Sequence, residues 1–432
     1  METESLLHQI RHAADGSLFA QLYAPDGSLS RLGQAKHRAE TVLEHFVSSF
    51  PDTEHSDISL FSAPGRVEIG GNHTDHQHGC VLCGAIHLDM LCCAGKTALN
   101  RIRVVSEGFP PCEVPLDQLK PNPGEYGTTV SLIRGIASQI SALGYPLSGA
   151  DLYLTSDVPA GSGLSSSAAF EMVVCTALNT FFCGSSLSSI DIAKIGARSE
   201  NVFFGKPSGL MDQLGCAVGG IIAVNFSDPD HPVVHQSEKD PTSFGYSLFL
   251  VDTRSDHQDL TDAYAAIPRE MGAVATYFGK RVLAEVPESD FRAAIPQLRA
   301  ACGDRAVLRA LHFYSENQRA VQMACALSSG SFDRFLSLVT ESGLSSALCL
   351  ENTFSVLAPE KQAIPLALEI GRQVLNGSGA IRVHGGGFAG AILAFVPETL
   401  IPVFQREMEQ VFGSGCCRLL SFRPVAACRI TF

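Results

Sequence analysis

The segment that most restricts the fold of this chain runs from Ala150 to Phe182. Ala150 to Thr155 alternates in strand fashion. It leads into a turn that reads Asp157-Val158-Pro159-Ala160-Gly161-Ser162-Gly163-Leu164-Ser165-Ser166-Ser167, and a long apolar helix follows from Ser165 to Phe182. Gly161 and Gly163 permit positive φ and let a ligand come close to the backbone. The three serines stand at a helix start, where free N–H groups and the helix dipole attract anions. Their hydroxyls add hydrogen bonds to phosphate, and one can reach a magnesium ion. No G-K-[ST] follows, so this is not the Walker pattern, and no G-x-S-x-G frame fits a nucleophile elbow. A capped helix after a flexible turn is the plain alternative. The length of the turn and the helix directly behind it favour phosphate binding.

The rest of the chain mixes strands and helices without strict alternation, which predicts an α+β fold rather than a parallel doubly wound sheet. Residues 4–50 look helical, with a break near Pro25–Gly27. Strands are expected at Ile58–Ser62, Val81–Cys93, Arg101–Ser106, Gly219–Phe226 and Tyr246–Asp252, and helices at Thr128–Leu143 and Ser188–Phe203. Residues 259–357 look mostly helical, and Ala380–Phe395 reads as strand, Gly-rich turn and apolar segment. The last strand is expected at Cys417–Phe422 or at Cys428–Phe432. Loop signals over 227–243 suggest three parts: a mostly helical extension (1–57), an N-terminal unit (58–235) and a C-terminal unit (236–432).

At 432 residues the chain is too long for one ordinary core. Its 45% apolar and 17% charged residues exclude disorder. A net charge of -13, with no Lys/Arg cluster, argues against nucleic acid as a partner. No apolar stretch is long enough to span a bilayer, and the polar N-terminus does not look like a secretory signal. The 14 cysteines lie mostly in apolar runs, as reduced core thiols of a cytoplasmic protein would.

A second dense stretch runs Ala63-Pro64-Gly65-Arg66-Val67-Glu68-Ile69-Gly70-Gly71-Asn72-His73-Thr74-Asp75-His76-Gln77-His78-Gly79. So many polar groups among turn-forming residues suit a pocket for a polar ligand. Three readings are open: a solvated turn, a metal cluster of His73, Asp75, His76 and His78, and a sugar pocket.

Taken with the turn at Pro159–Ala168, this stretch resembles the GHMP small-molecule kinases, and the galactokinase family most closely. Gly65–His76 look like that family's sugar signature, and Pro159–Ala168 look like its phosphate loop. Gly385-Gly386-Gly387-Phe388-Ala389-Gly390 look like its third motif. The stretch from Ser199-Glu200 through Phe204-Gly205-Lys206-Pro207-Ser208-Gly209-Leu210-Met211-Asp212-Gln213 is similar to the segment that carries the catalytic Asp.

The resemblance implies a two-lobed fold with the active site between lobes, and transfer of phosphoryl from ATP, with Mg2+, to the C1 hydroxyl of a sugar. It implies Asp212 as general base and Arg66 as its partner. It implies Arg66, Asn72, His73, Asp75, Gly209 and Tyr264 around the sugar. Gly161, Ser162, Gly163, Leu164, Ser165, Ser166 and Ser167 would hold ATP, and Ser167 with Glu200 would hold the metal. Sugar and ATP are then the partners, and a monomer is expected.

Two positions depart from the family pattern: Glu68 replaces Asn, and Asn72 replaces an acidic residue that helps hold the sugar's C6 hydroxyl. His76 stands at an aromatic position and His78 at a small one. Galactose is the expected substrate, with a C6 carboxylate sugar such as galacturonate as the alternative, because a Glu would repel that carboxylate and Asn72 would not. From other classes, a non-catalytic sugar sensor would have lost Asp212 or the loop, and a metallohydrolase would leave the loop unexplained. Tyr126 and strand 101–106 are the guesses for the adenine pocket.

Overall fold

The structure, a computed structural model, describes residues 2–206, 208–255 and 260–432, with Thr261 described through its backbone only. Pro207, and residues 256–259 ahead of Tyr264, lie outside the described residues.

Two sheets carry the fold. The first contains β1 (Ser56–Gly70), β2 (Cys80–Thr97), β3 (Arg101–Ser106), β4 (Cys112–Pro115), β5 (Gly149–Ser156), β6 (Ile221–Asn225) and β7 (Val233–Ser237). The second contains β8 (Tyr246–Asp252), β9 (Ala380–Val383), β10 (Ala391–Pro397) and β11 (Cys417–Leu420), in the order β11-β8-β10-β9. A last short strand, β12 (Cys428–Arg429), returns to the edge of the first sheet against β1. All pairings are antiparallel except that of β3 with β5.

Side chains on β1, β2 and β5 alternate between two cores. Phe61, Cys92 and Leu154 face one, and Leu60, Cys93 and Tyr153 face the other. The extension fills the second face with α1 (Glu2–Arg11), α2 (Leu18–Tyr23) and α3 (Leu29–Ser49). Ser17 and Ser28 cap α2 and α3 by accepting from Ala20 N and Arg31 N. Leu32, Ala39, Leu43 and Phe46 recur at helical spacing and form the buried stripe of α3. Phe19 and Phe46 are fully buried, and each contributes about 1.5–3 kcal/mol over an exposed side chain.

On the opposite face lie α4 (Thr129–Ala142), α5 (Ser166–Phe182), α6 (Ser189–Arg198) and α7 (Met211–Val218). Ala168, Ala169, Val173, Val174 and Ala177 are small enough to let α5 sit against β1 and β2. That contact fixes where the preceding Gly/Ser turn ends.

The structure departs from the sequence-based expectations at three places. β1 does not stop at Ser62 but runs through the polar signature to Gly70, because Arg66 and Glu68 find buried partners that no local pattern announces. Residues 233–237, inside the expected boundary loops, form β7 and pair with β6. Both candidate final strands form, one in each sheet. Among the described residues no helix is long and apolar enough to cross a membrane. All fourteen cysteines are unpaired. Cys80 and Cys83 have C-x-x-C spacing, but on a strand that spacing sends the two thiols to opposite faces.

Candidate active site

β1 and the Gly/Ser turn meet backbone to backbone. The Arg66 N–H donates to the Leu164 carbonyl at 3.0 Å. A Cβ on Gly65 would lie 2.8 Å from that same oxygen, so the approach requires glycine. From this junction the Arg66 side chain reaches two ways. Nε and Nη2 donate to Asp212 Oδ1 at 3.0 and 2.6 Å, and Nη1 donates to the Gly163 carbonyl at 2.5 Å. Asp212 lies in the first turn of α7, and its Oδ2 accepts from Ser165 Oγ at 2.8 Å. Ser165 reaches it by adopting φ of 60° immediately before α5.

Burial pushes the Asp212 carboxyl up, but the Arg66 guanidinium and the bonds from Arg66 and Ser165 outweigh burial and hold it below the usual carboxylate range. It is therefore ionised at neutral pH, and its side chain remains 34% exposed.

Gly161 and Gly163 take positive φ (73° and 76°), Ser162 Oγ donates to the Pro159 carbonyl at 2.7 Å, and Leu164 is buried. Ser166 and Ser167 open α5. The start of this turn is anchored from behind. Asp157 pairs with Arg38 of α3 at 2.9 Å, and Arg38 also pairs with the buried Asp89 at 2.6 Å.

Behind Asp212 lies a layer of carboxyl groups. Glu200 sits on a π-helical turn, Ser199–Phe204. Its Oε1 accepts from Lys206 Nζ at 2.8 Å and its Oε2 from Ser208 Oγ at 2.6 Å. Gln213 Nε2 bridges Glu200 and Glu171, at 3.2 and 2.9 Å. Burial, with Glu200 next in importance, raises the Glu171 carboxyl well above its ordinary value. The Tyr126 ring, half exposed, lies against Gly205 at the end of this turn. Strand 101–106 is β3, inside the sheet, with Arg103 paired to Asp151 at 2.5 Å.

The second half of the signature is held differently. Gly71 turns the chain at φ of 87°, where a Cβ would meet the Cys80 carbonyl at 2.5 Å. Thr74 Oγ1 donates to both Gly71 O and Cys80 O, and Glu316 accepts from Gly71 N at 2.9 Å. The three carbonyls of the Gly-rich turn are then taken in order. Asn72 Nδ2 donates to Gly385 O at 2.8 Å, His73 Nε2 to Gly386 O at 3.1 Å, and Tyr264 Oη to Gly387 O at 2.7 Å. A Cβ on Gly386 would strike the Tyr264 ring at 2.5 Å, and one on Gly387 would strike the Asn352 carbonyl at 2.1 Å.

Asn72 is buried and uses its whole amide. It also donates to Glu68 Oε1 at 2.9 Å and accepts from Asn352 and Ser346 at 2.9 and 3.2 Å. Glu68 pairs with the fully buried Arg382 at 2.8 Å, and burial raises its pKa to about 7. Asp75 packs directly against Gly209, where a Cβ would lie 1.8 Å from Oδ2. Its carboxyl is raised, by burial first and then by Asp212. Burial lowers His73 to about 3, with His76 next in effect, and lowers His76 to about 4.

Arg66, Asp75, Gly209 and Asp212 thus converge on the Gly163 side, while Asn72, His73 and Tyr264 fasten the Gly-rich turn. Among the described residues no group of three or more His, Cys, Asp or Glu could hold a metal, so the imidazoles of the signature form no such cluster. Reading the sequence missed Arg382, His384, Asn352, Glu316 and Lys206. Only Arg382 leaves a trace, as a lone charge within the apolar strand Ala380-Ile381-Arg382-Val383.

Residues 44–96 match the galactokinase galactose-binding signature, and residues 131–220 match the GHMP kinases N terminal domain. The fold is similar to that of Lactococcus lactis galactokinase, crystallised with galactose (TM-score 0.75, 21% identity, covering 92% of this chain and 100% of that one). It is also similar to Methanococcus jannaschii mevalonate kinase (TM-score 0.59, 16% identity, 87% and 100% covered). A third similar structure is Streptococcus pneumoniae phosphomevalonate kinase with phosphomevalonate and AMPPNP (TM-score 0.59, 12% identity, 84% and 99% covered). At these identities the structural likeness speaks to the fold, and the two sequence matches carry the rest. The chain thus carries the galactose-binding signature of the galactokinases and the N-terminal domain of the GHMP kinases, the marks of a sugar kinase.

Proposed function

We propose that the chain transfers the γ-phosphoryl group of ATP to the C1 hydroxyl of galactose, giving galactose 1-phosphate and ADP. The observation that carries this reading is Arg66. One guanidinium joins the sugar signature, the Gly163 carbonyl of the phosphate loop and the Asp212 carboxylate. In this reading the acceptor oxygen, the base and the phosphates meet at that guanidinium.

The C1 oxygen attacks phosphorus, the bond from phosphorus to the bridging oxygen breaks, and ADP leaves with that oxygen. Asp212 takes the C1 proton. A carboxylate held this low is a weak base. A loose transition state asks for little deprotonation before transfer, so positioning matters more than basicity. Asp75, His73 and the backbone of Gly209 supply the sugar's hydroxyls with partners. The Asn72 amide, already committed to Glu68 and Gly385, acts by shaping the pocket.

Mg2+ fits the site. Glu200 is buried with its side chain 5% exposed, yet it already holds a cation, Lys206, whose own side chain is 57% exposed and free to swing outward. Glu200 and Ser167 would hold the ion, which would supply positive charge against the phosphates.

One observation favours a second reading, a sugar with a carboxylate at C6. Glu68 is paired with Arg382, and Asn72 is an uncharged amide, so neither of these two positions presents a free negative charge. Galactose and galacturonate compared at equal concentration, with ATP and Mg2+ and read as ADP release, decide between the two. Activity on galactose alone ends the second reading, and activity on galacturonate alone ends the first. No release with either sugar ends both in favour of a sensor.

A further inference from the structure

His384, the residue before Gly385, stands between the sugar signature and the phosphate loop and is 3% exposed. Its Nε2 lies 3.2 Å from the backbone nitrogen of Glu68. A backbone N–H can only donate, so Nε2 accepts, and a neutral ring then carries its proton on Nδ1. The ring is neutral because burial, and after it the Arg66 and Arg382 charges, hold its pKa well below the ordinary value. Among the described residues the Nδ1 atom has no hydrogen-bond partner. Buried donors are seldom left this way, and one beside a ligand site points to the ligand.

The direction is set by Gly163. A Cβ there would lie 3.0 Å from Nδ1, so this donor faces the phosphate loop at Gly163, where Arg66 also reaches the Gly163 carbonyl. An occupant must accept. A phosphoryl oxygen only accepts, and the space between the phosphate loop and Asp212 is where a transferring phosphoryl group passes. A neutral donor there meets developing negative charge without repelling Arg66.

We propose that His384 Nδ1–H donates a hydrogen bond to a non-bridging oxygen of the γ-phosphoryl group of ATP, which makes His384 a further catalytic residue of this site. The inference rests on the kinase reading above.

Two substitutions separate the ring's two nitrogens. His384→Asn keeps an N–H near the Nδ1 position, and His384→Gln keeps a polar atom only near Nε2. The full chain is titrated with AMP-PNP and with ADP, each with Mg2+, alongside thermal melts. His384→Gln is expected to bind AMP-PNP about tenfold more weakly, to bind ADP within about twofold of wild type, and to lose about 10–100-fold in kcat. His384→Asn is expected to stay within about threefold throughout. Equal losses for AMP-PNP and ADP overturn the proposal, as do equal losses in both variants that follow a lowered melting temperature.

Should either variant fold poorly, 15N NMR of the histidines in the wild-type chain decides. The Nδ1–H signal of His384 should slow its exchange with AMP-PNP and not with ADP, and equal behaviour with both overturns the proposal. Wild-type protein without sugar-dependent turnover would count against the kinase reading, while the AMP-PNP and ADP comparison would still place His384.

Discussion

The two halves of the sugar signature are built to opposite ends. Around Arg66 the site is sparse: two oxygens of one carboxylate, one carbonyl and one hydroxyl, with Asp212 still open to solvent. Around Asn72 it is crowded, with Glu68, Arg382, Asn352, Ser346 and three glycine carbonyls joined in one buried network. The difference teaches how one short segment does two jobs. The first half leaves charge available for chemistry. In the second, Asn72 commits its whole amide to locking the C-terminal Gly-rich turn against the N-terminal sheet. Substitutions at the Arg66–Asp212 junction should therefore alter turnover with little change in stability, and substitutions in the network around Asn72 should do the reverse.

The largest effect is expected at Asp212. Asp212→Asn should lower kcat by about 10²–10⁴-fold while the melting temperature moves little, as steady-state kinetics and a thermal scan will show. A loss of turnover that merely tracks unfolding would erase the contrast between the halves. Next comes Arg382→Met, which strands Glu68 in the interior and should reduce the unfolding free energy by about 3–5 kcal/mol. Urea unfolding reads this, and a change under about 1 kcal/mol would mean that the network does not hold the lobes. At Ser165 the two halves meet on a finer scale. Ser165→Ala removes one bond that keeps Asp212 ionised, so the acidic limb of the kcat profile should shift upward in pH. Turnover at pH 7 should fall less than about tenfold. An unchanged limb would mean that Arg66 alone sets the base.

The smallest effect is in stability against pH. His76 is held neutral in the fold, at about 4, and takes a proton on unfolding below its ordinary value of 6.5. Its contribution is complete above pH 6.5 and is lost as pH falls toward 4, by about 1 kcal/mol at pH 5.5. Glu68, raised to about 7, works in the opposite sense, because the fold binds its proton first as pH falls from 7. The histidine share is therefore read as the difference between wild type and His76→Gln from pH 7 to 5.5. Parallel curves would contradict it.

How much of this was legible in the sequence depended on distance along the chain. β3 is found where alternation placed it, at Arg101–Ser106, because its pattern is complete within six residues. The turn before α5 could be read because its glycines and serines are contiguous. β1 runs longer than its local pattern predicts because Arg66 and Glu68 interrupt an apolar run. Their partners lie 146 and 314 residues away, beyond any local signal. His384 and Glu316 were missed for the same reason: each is one polar residue whose role exists only once the lobes are docked. The return of the last residues to the first sheet could not be chosen from composition, since two candidate strands looked alike and both form.

The central claim is transfer of phosphoryl to an anomeric oxygen at the Arg66–Asp212 junction. Phosphorus-coupled NMR of the product formed from sugar, ATP and Mg2+ tests it most directly. The account predicts that the anomeric proton and carbon of the product are split by phosphorus and that ADP appears in equal amount. Phosphorus splitting a sugar carbon other than C1 and its neighbour C2, or ADP formed with no phosphorylated sugar, would contradict it.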